Sequence, residues 1–319
     1  MTIAANIGYV AELQCPMACP DSLVGLTTPK DGISRFSLIG LSRLQKSLEY
    51  IAPEAAQKNL SLAELSSVKF SVPAGMEQEK IAGFLTAVDE RIGKLKRKKE
   101  LLEEYKRGMM QKLFSQEVRF KDEHGRHYPD WKQVKLSQLL EIKITDGPHS
   151  TPEFLSKGIP FLSVNNIVDN RLDFRNVRHV SEADHHEFSK KCKPEKGDIL
   201  LGKAASVGKV AIVDTLREFN IWSPLACIRM NAFQCAHFFY YSFLTHRVQR
   251  SLWRLVNASS QPNIGMGDIV RVRFLVPSRH EQERIAEFLT GLDEKLANLG
   301  QRIEKAEEFK RGLLQKMFV

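Results

Sequence analysis

Residues 73–114 and 277–318 align without a gap at an offset of 204, and a repeat of this length restricts the chain to folds in which one structural unit occurs twice. The segments PAGMEQEKIAGFLTAVDERIGKLKRKKELLEEYKRGMMQKLF and PSRHEQERIAEFLTGLDEKLANLGQRIEKAEEFKRGLLQKMF are identical at 21 of 42 positions, including the EQE start, the IAxFLT block and the KRGxxQKxF end. Helical composition alone does not produce that agreement. The segments are copies of one ancestor.

Each copy carries apolar residues at three- and four-residue steps: Ile81, Leu85, Val88, Ile92, Leu95, Leu102 and Tyr105 in the first, Ile285, Leu289, Leu292, Leu296, Leu299 and Ile303 in the second. That is a heptad-like stripe on a helix. Proline occurs only at the first position of each segment, and acidic residues at the start (Glu77, Glu79; Glu281, Glu283) and basic ones at the end (Lys106, Arg107, Lys112; Lys310, Arg311, Lys316) complement the helix dipole. A helix over 77–114 is about 57 Å long, and a narrow seam on it must be buried against something else. The bland expectation is packing of each helix on its own domain; matched length, seam and sequence favour pairing of the two copies with each other.

The duplication extends upstream. AAQKNLSLAELSSVKFSVP (55–73) faces SSQPNIGMGDIVRVRFLVP (259–277), which aligns Gln57 with Gln261 and Asn59 with Asn263. SRLQKSLEYI (42–51) faces HRVQRSLWRL (246–255), and after a four-residue gap NIGYVA (6–11) faces SVGKVA (206–211). Recurrence of Gln57/Gln261 and Asn59/Asn263 just ahead of the repeated helix points to a shared structural task, such as capping or docking, rather than to sequence reading. Residues 6–114 thus read as the second half of a unit whose first half, roughly 85 residues like 116–200, has no counterpart in front. The expectation is a first unit cut short.

Composition is that of a globular chain, 43% hydrophobic and 27% charged over 319 residues. No apolar run approaches the ~20 residues needed to span a bilayer, and MTIAANIGYVAELQ has no basic stretch before an apolar core, so the default compartment is the cytoplasm. Five irregularly spaced cysteines suit reduced thiols rather than a disulfide framework. Of the +9 net charge, +7 falls in residues 119–276, which hold 23 basic and 16 acidic side chains. A positive charge concentrated in one region implies a polyanion partner, nucleic acid first.

The order of these pieces resembles the specificity subunit of type I restriction–modification systems. The resemblance covers essentially the whole chain and rests on EQEKIAGFL and EQERIAEFL, KRGMMQKLF and KRGLLQKMF, RFKDEHGRHYPDWKQVKLSQLLEI (119–142), DGPHSTP (146–152), GIPFLSVNNI (158–167) and KGDILLGKAASVGKVAIV (196–213). It implies an α+β fold: mixed α/β target-recognition domains plus two long helices forming an antiparallel coiled coil. Residues 1–76 would be the C-terminal half of a first recognition domain, 77–114 the first conserved helix, 115–276 the second recognition domain and 277–319 the second helix. It implies no catalysis or cofactor of the chain's own. Its partners would be double-stranded DNA read as a bipartite site, methyltransferase subunits docked on the helices and, through them, a restriction subunit that translocates and cleaves. The shortened first unit leaves room for self-association.

Between Trp131 and Pro277, short apolar runs (IPFLSV, DILLG, KVAIV, ACIRM) separated by Gly, Pro, Asn and Asp read as strands and turns. HFFYYSFLTHRVQRSLWRLV (237–256) reads as one or two helices and IGMGDIVRVRFLVP (264–277) as a helical turn and a strand. Loops between strands present groups to base edges, so the DNA-binding candidates are His149, Ser150, Thr151, Asn165, Asn166, Lys203, Ser206 and Lys209. Asn165 and Asn166 serve equally well as turn formers. Arg171, Arg175 and Arg178 are further DNA-binding candidates, which form one basic stripe if their segment is helical and serve either as phosphate contacts or as a solvated face. Phe161, Leu162, Val164, Ile199, Leu200, Val210 and Ile212 are core candidates.

The sequence carries none of the familiar catalytic motifs. No methyltransferase Asn/Asp-Pro-Pro-aromatic string occurs, GMG (265–267) is too short for a dinucleotide loop, and LLGKAAS lacks the upstream glycine and the Ser or Thr after Lys203 that a P-loop needs. Cys15 and Cys19 have no second ligand pair for zinc, and Asp184, His185 and His186 read as a surface cluster. A self-contained methyltransferase or nuclease is thereby disfavoured. A degenerate paralogue that assembles by its helices without guiding modification remains the rival to the specificity subunit.

Overall fold

The computed structural model describes residues 1–28, 34–52, 59–69, 71–257 and 262–318; Gln57 and Gln261 lie outside the described residues. The chain begins with helices α1 (Ser34–Arg43), α2 (Gln45–Ile51) and α3 (Leu62–Ser67) and the long α4 (Gly75–Phe114). Strands β1 (Lys132–Lys135), β2 (Thr145–Asp146), β3 (Ile159–Leu162), β4 (Ile167–Val168), β5 (Arg171–Leu172) and β6 (Arg178–Val180) lead to α5 (Glu182–Lys191). Next come β7 (Ile199–Gly202), β8 (Val210–Ile212), β9 (Asn220–Ile221), β10 (Leu225–Ile228), α6 (Ala236–Phe243), α7 (His246–Trp253), α8 (Met266–Ile269), β11 (Arg273–Val276) and α9 (Arg279–Met317). The fold is mixed α+β. Among the described residues no helix is long and apolar enough to cross a membrane.

Two compact units share the long helices: the first comprises 1–101 and 296–319, the second 102–295. In the first unit the two helices run antiparallel. Lys96 reaches Glu307 at 2.7 Å and Lys310 reaches Asp89 at 2.6 Å, while Ile81, Ala82 and Leu85 share a buried cluster with Phe36, Ile39, Leu313, Leu314, Met317 and Phe318. Phe36 stacks on Phe318 with centroids 5.0 Å apart. In the second unit Lys106 reaches Asp293 at 2.5 Å. Adding 204 to Asp89 and Lys106 gives Asp293 and Lys310, so one ion pair is made twice with the copies exchanged, as an isologous contact requires. The seam is buried as its spacing predicts: Ile81, Leu85, Ile92, Ile285, Leu289, Leu292 and Leu299 fully, Val88, Leu95, Leu102, Leu296 and Ile303 partly. Tyr105 is the exception and stays exposed, because its ring lies at the edge of the seam against Phe288.

Upstream, the repeat is made of the same bonds. Ala4 bridges Asn59 as Ala204 bridges Asn263. The Gly8 amide donates to the Thr2 carbonyl and the Gly208 amide to the Gly202 carbonyl, both at 2.9 Å. Gly8 and Gly208 have φ +84 and +88, a region that glycine enters without steric cost, so the turn survives in both copies. Each long helix also starts alike: the Gln78 side-chain amide donates to the Pro73 carbonyl at 2.8 Å and that of Gln282 to Pro277 at 3.0 Å, which holds the helix's entry turn.

The second unit is built around the antiparallel sheet β2-β10-β7-β8. Alternate residues of a strand face opposite sides, and here both sides are covered. Ile199, Leu201, Val210, Ala226 and Ile228 enter a large core with Trp131, Phe238, Phe239, Leu252 and Ile285; Leu200, Ala211, Leu225 and Cys227 enter a second core with Leu162, Val164, Ile167 and Phe219. Burial on both faces explains why ILLG and LACI are apolar without alternation. A mixed sheet β6-β3-β9 and the ribbons β4-β5 and β1-β11 complete the unit. Helix α5 starts where the Ser181 hydroxyl accepts from the Asp184 amide and ends on Lys190 and Lys191, as dipole and capping rules require.

Candidate nucleic-acid interface

The loop after β2 and the end of β7 are tied together by one carboxylate. Asp146 is buried, and its side chain pairs with Lys191, with Lys203 at 3.2 Å and with His149 at 3.3 Å. A buried carboxylate needs such partners to offset lost hydration. Lys191 also donates to the Gly147 carbonyl at 3.0 Å. Gly147 itself passes so close to β9 that a Cβ there would lie 1.6 Å from the Ile221 carbonyl oxygen. Gly147→Ala is therefore expected to push the 146–152 loop off the sheet and to lower stability by about 1–3 kcal/mol, read as a drop in the denaturant midpoint; an unchanged midpoint would refute the close approach.

The candidates divide by exposure. His149, Ser150 and Thr151 sit exposed on this loop, Lys209 is exposed on the turn after β7, and Ser206 is half-buried there. Lys209 donates to the Ile167 carbonyl at 3.1 Å, which links that turn to the β4-β5 ribbon. Lys203, by contrast, is buried on Asp146, so it acts as an internal counter-ion and presents no free ammonium at the surface. Asn166 is also interior: its carbonyl oxygen accepts from the Ser163 amide at 2.9 Å, and its NH2 donates to the Asp173 and Asn176 carbonyls at 3.1 and 3.2 Å. It forms the turn, while its neighbour Asn165 is exposed.

Arg171, Arg175 and Arg178 are not on a helix. They lie on β5, on a turn and on β6, since Asp169 and Asn170, with φ 49 and 60, make a tight hairpin turn. Arg171 reaches the Asp293 carbonyl at 3.4 Å. Arg178 covers the Phe154 ring at 4.5 Å. Arg175 bonds Asp173 at 2.8–3.2 Å, and that hydrogen bonding lowers the Asp173 carboxyl to about 2. All three remain exposed. His185 departs from the expected surface cluster: it is buried, with Nδ1 2.9 Å from Asn220 Oδ1, because its position on α5 faces β9.

A further basic face lies on α7, outside the candidates named from the sequence. Arg247, Arg250 and Arg254, at spacings of three and four along α7 and its C-terminal cap, share an exposed face next to exposed Trp253, and none has a side-chain partner among the described residues. The signal was present in HRVQRSLWR: Val248 and Leu252 are the buried face, and the arginines occupy the other. Deeper charge is fully matched: Arg229 grips Asp198 with two bonds of 2.8 Å, and this carboxylate raises the guanidinium pKa. Among the described residues no group of three His, Cys, Asp or Glu side chains could hold a metal ion. The arrangement offers exposed cations and amides on rigid supports, suited to phosphate and base-edge contacts.

The family model described as the type I restriction modification DNA specificity domain matches residues 1–104 and 128–308. Among curated proteins the chain is similar to the putative type I restriction enzyme MjaX specificity subunit of Methanocaldococcus jannaschii, 28% identical over 305 residues, covering 92% of this chain and 69% of the relative. It is also similar to the MjaIX specificity subunit of that organism, 23% identical, covering 99% of this chain and 76% of the relative. Among solved structures, the S subunit of a type I restriction-modification system from M. genitalium matches with TM-score 0.67 at 19% identity, over 100% of this chain and 82% of that one. A chain from a study of complex assembly and conformational transition of the type I system matches with TM-score 0.52 at 18% identity, over 88% and 70%.

Proposed function

Since the chain belongs to the type I restriction modification DNA specificity family, we propose that its second unit reads one half of a bipartite DNA site for a separate methyltransferase. The paired helices α4 and α9 act as spacer and as the seat of methyltransferase subunits, through which a translocating nuclease subunit is directed. The domain plan follows the repeat: a partial recognition domain in 1–76, helices in 77–114 and 277–319, and a full recognition domain in 115–276. The observation that carries the reading is the set of exposed arginines on α7 and its C-terminal cap, without side-chain partners among the described residues, within the part of the chain that holds the positive excess. Arg247, Arg250 and Arg254 would hold phosphates. His149, Ser150, Thr151, Asn165, Ser206 and Lys209 would face bases, with Lys203 and Asn166 positioning those loops and Arg171, Arg175 and Arg178 flanking them.

The test is co-expression with the cognate methyltransferase and sequencing of methylated bases. A defined two-part motif is expected. In the purified complex, Arg247→Ala/Arg250→Ala/Arg254→Ala should weaken DNA binding about equally on all sequences and reduce the salt slope by about three, whereas His149→Ala should relax the motif at particular positions. A complex that forms but methylates no motif would favour the degenerate paralogue.

A further inference from the structure

Two of the candidate base-reading turns rest on the β4-β5 ribbon. Lys209, on the turn after β7, donates to the Ile167 carbonyl at 3.1 Å. Next to exposed Asn165, the Asn166 side chain holds the Asp173 and Asn176 carbonyls, and the Asp173 amide donates to the Asn166 carbonyl at 2.8 Å. Within the ribbon Ile167 pairs with Leu172 and Val168 with Arg171, and Ile167 is buried in the second core with Leu172 and Phe174 packed against it. Ribbon and turns are thus one hydrogen-bonded piece on an apolar base.

The far end of the ribbon meets the helices. The Tyr240 hydroxyl donates to the Asn170 carbonyl at 3.0 Å, and Arg171 reaches the Asp293 carbonyl at 3.4 Å. Tyr240 is 6% exposed, and its ring packs edge-on against Tyr241 with centroids 4.9 Å apart. Tyr241 donates to the Asp293 carboxylate at 2.7 Å and lies 3.3 Å from the Thr290 hydroxyl, both on α9, while the same carboxylate holds Lys106 of α4. Burial, and after it the Asp293 carboxylate, push the Tyr240 phenol above its ordinary pKa, so the hydroxyl keeps the proton it donates. Contacts therefore run without a break from the helix pair through α6 and the ribbon to Asn165 and Lys209.

The repeat separates what the helix pair needs from what the ribbon needs. Asp89 and Lys310 make the same ion pair in the first unit, where Phe36 and Ser37 stand in the places of Tyr240 and Tyr241. The ion pair is made there without either phenol. The Tyr240 hydroxyl is directed at the ribbon instead.

We propose that the β4-β5 ribbon is a strut that fixes the reading turns at a set height above the helix pair, with Tyr240 as its positioning residue for sequence discrimination. Hydrogen bonds to base edges require placement to about 0.5 Å, whereas attraction to phosphates tolerates displacement and carries no sequence information. A loosened strut therefore costs discrimination before it costs affinity for DNA in general. The inference deepens the DNA-reading role proposed for the second unit and rests on it.

The test uses the complex with the cognate methyltransferase and two duplexes, one carrying the motif found by sequencing methylated bases and one of the same composition in scrambled order. Tyr240→Phe removes one oxygen, and a buried phenylalanine already occupies this place in the first copy, so the fold is retained. Affinity for the motif duplex is expected to fall about tenfold and that for the scrambled duplex to stay unchanged. In the chain without DNA, hydrogen exchange of the amides in residues 167–173 should quicken about tenfold. A wild-type complex with no preference between the duplexes would overturn the DNA-reading role and the inference with it. A wild-type preference that Tyr240→Phe retains in full, equal losses on both duplexes, or unchanged exchange in the ribbon would overturn the inference alone.

Discussion

Glu281→Ala is expected to lower the stability of the second unit by about 3–5 kcal/mol, since removing one member of a buried pair leaves the other without compensation. Arg119 would keep its bonds to the Tyr128 and Pro129 carbonyls but lose the carboxylate that raises its pKa, and Trp131 Nε1 would lose its acceptor. Phe114 and Phe238 pack against Trp131 at 6.3 and 5.8 Å, so the disturbance would extend into the main core. Glu77→Ala is the control. It replaces the same residue of the repeat at an exposed position and should change stability by no more than a few tenths of a kcal/mol, as surface substitutions do. Equal denaturant midpoints for the two variants would show that the buried bond is not what holds the segment after α4.

Leu85→Asp should destabilise the first unit by about 3 kcal/mol or more, combining a lost leucine side chain with a carboxylate driven into an apolar site. Leu85 is wholly buried among Phe36, Ile39 and the C-terminal turns of α9, so the expected sign is early proteolysis near Leu313 and a lowered unfolding midpoint. Leu292→Asp should do the same to the second unit, where Leu292 belongs to the large core. Leu85→Met, which conserves volume, should cost less than about 1.5 kcal/mol. Under the proposed function both aspartate variants also weaken capture of the methyltransferase. Wild-type midpoints in the aspartate variants would count against helix pairing by this seam.

The long helices were legible because a 3.6-residue period sustained over some ten turns leaves no competing interpretation, and the ion pairs Asp89–Lys310 and Lys106–Asp293 join residues the repeat had already aligned. The turn at Gly8 and Gly208 was foreshadowed by NIGYVA against SVGKVA. The site was less legible. Asp146 joins Lys191 and Lys203, 45 and 57 positions away, and no local pattern announces such a meeting. Lys203 therefore looked like a free loop cation. Asn166 and Asn165 are the same residue type side by side, yet one faces inward to three backbone groups and the other outward, which the 3₁₀ turn at Val164–Asn166 decides. The spacing of Arg247, Arg250 and Arg254 is a local property of HRVQRSLWR, but that they share an exposed face follows from the burial of Val248 and Leu252 on the other side.

By itself the sequence established the duplication, the two amphipathic helices, the alternation of strands and turns between them and the family whose order of motifs they follow. These are matters of local period and of identity at a constant offset, and both survive without knowledge of any distant neighbour. Only the tertiary structure decided which cations are spent on buried carboxylates, which asparagine holds a turn and which copy of a shared surface is covered. Burial and charge pairing depend on what packs from elsewhere in the chain, and two nearly identical helices meet different surroundings.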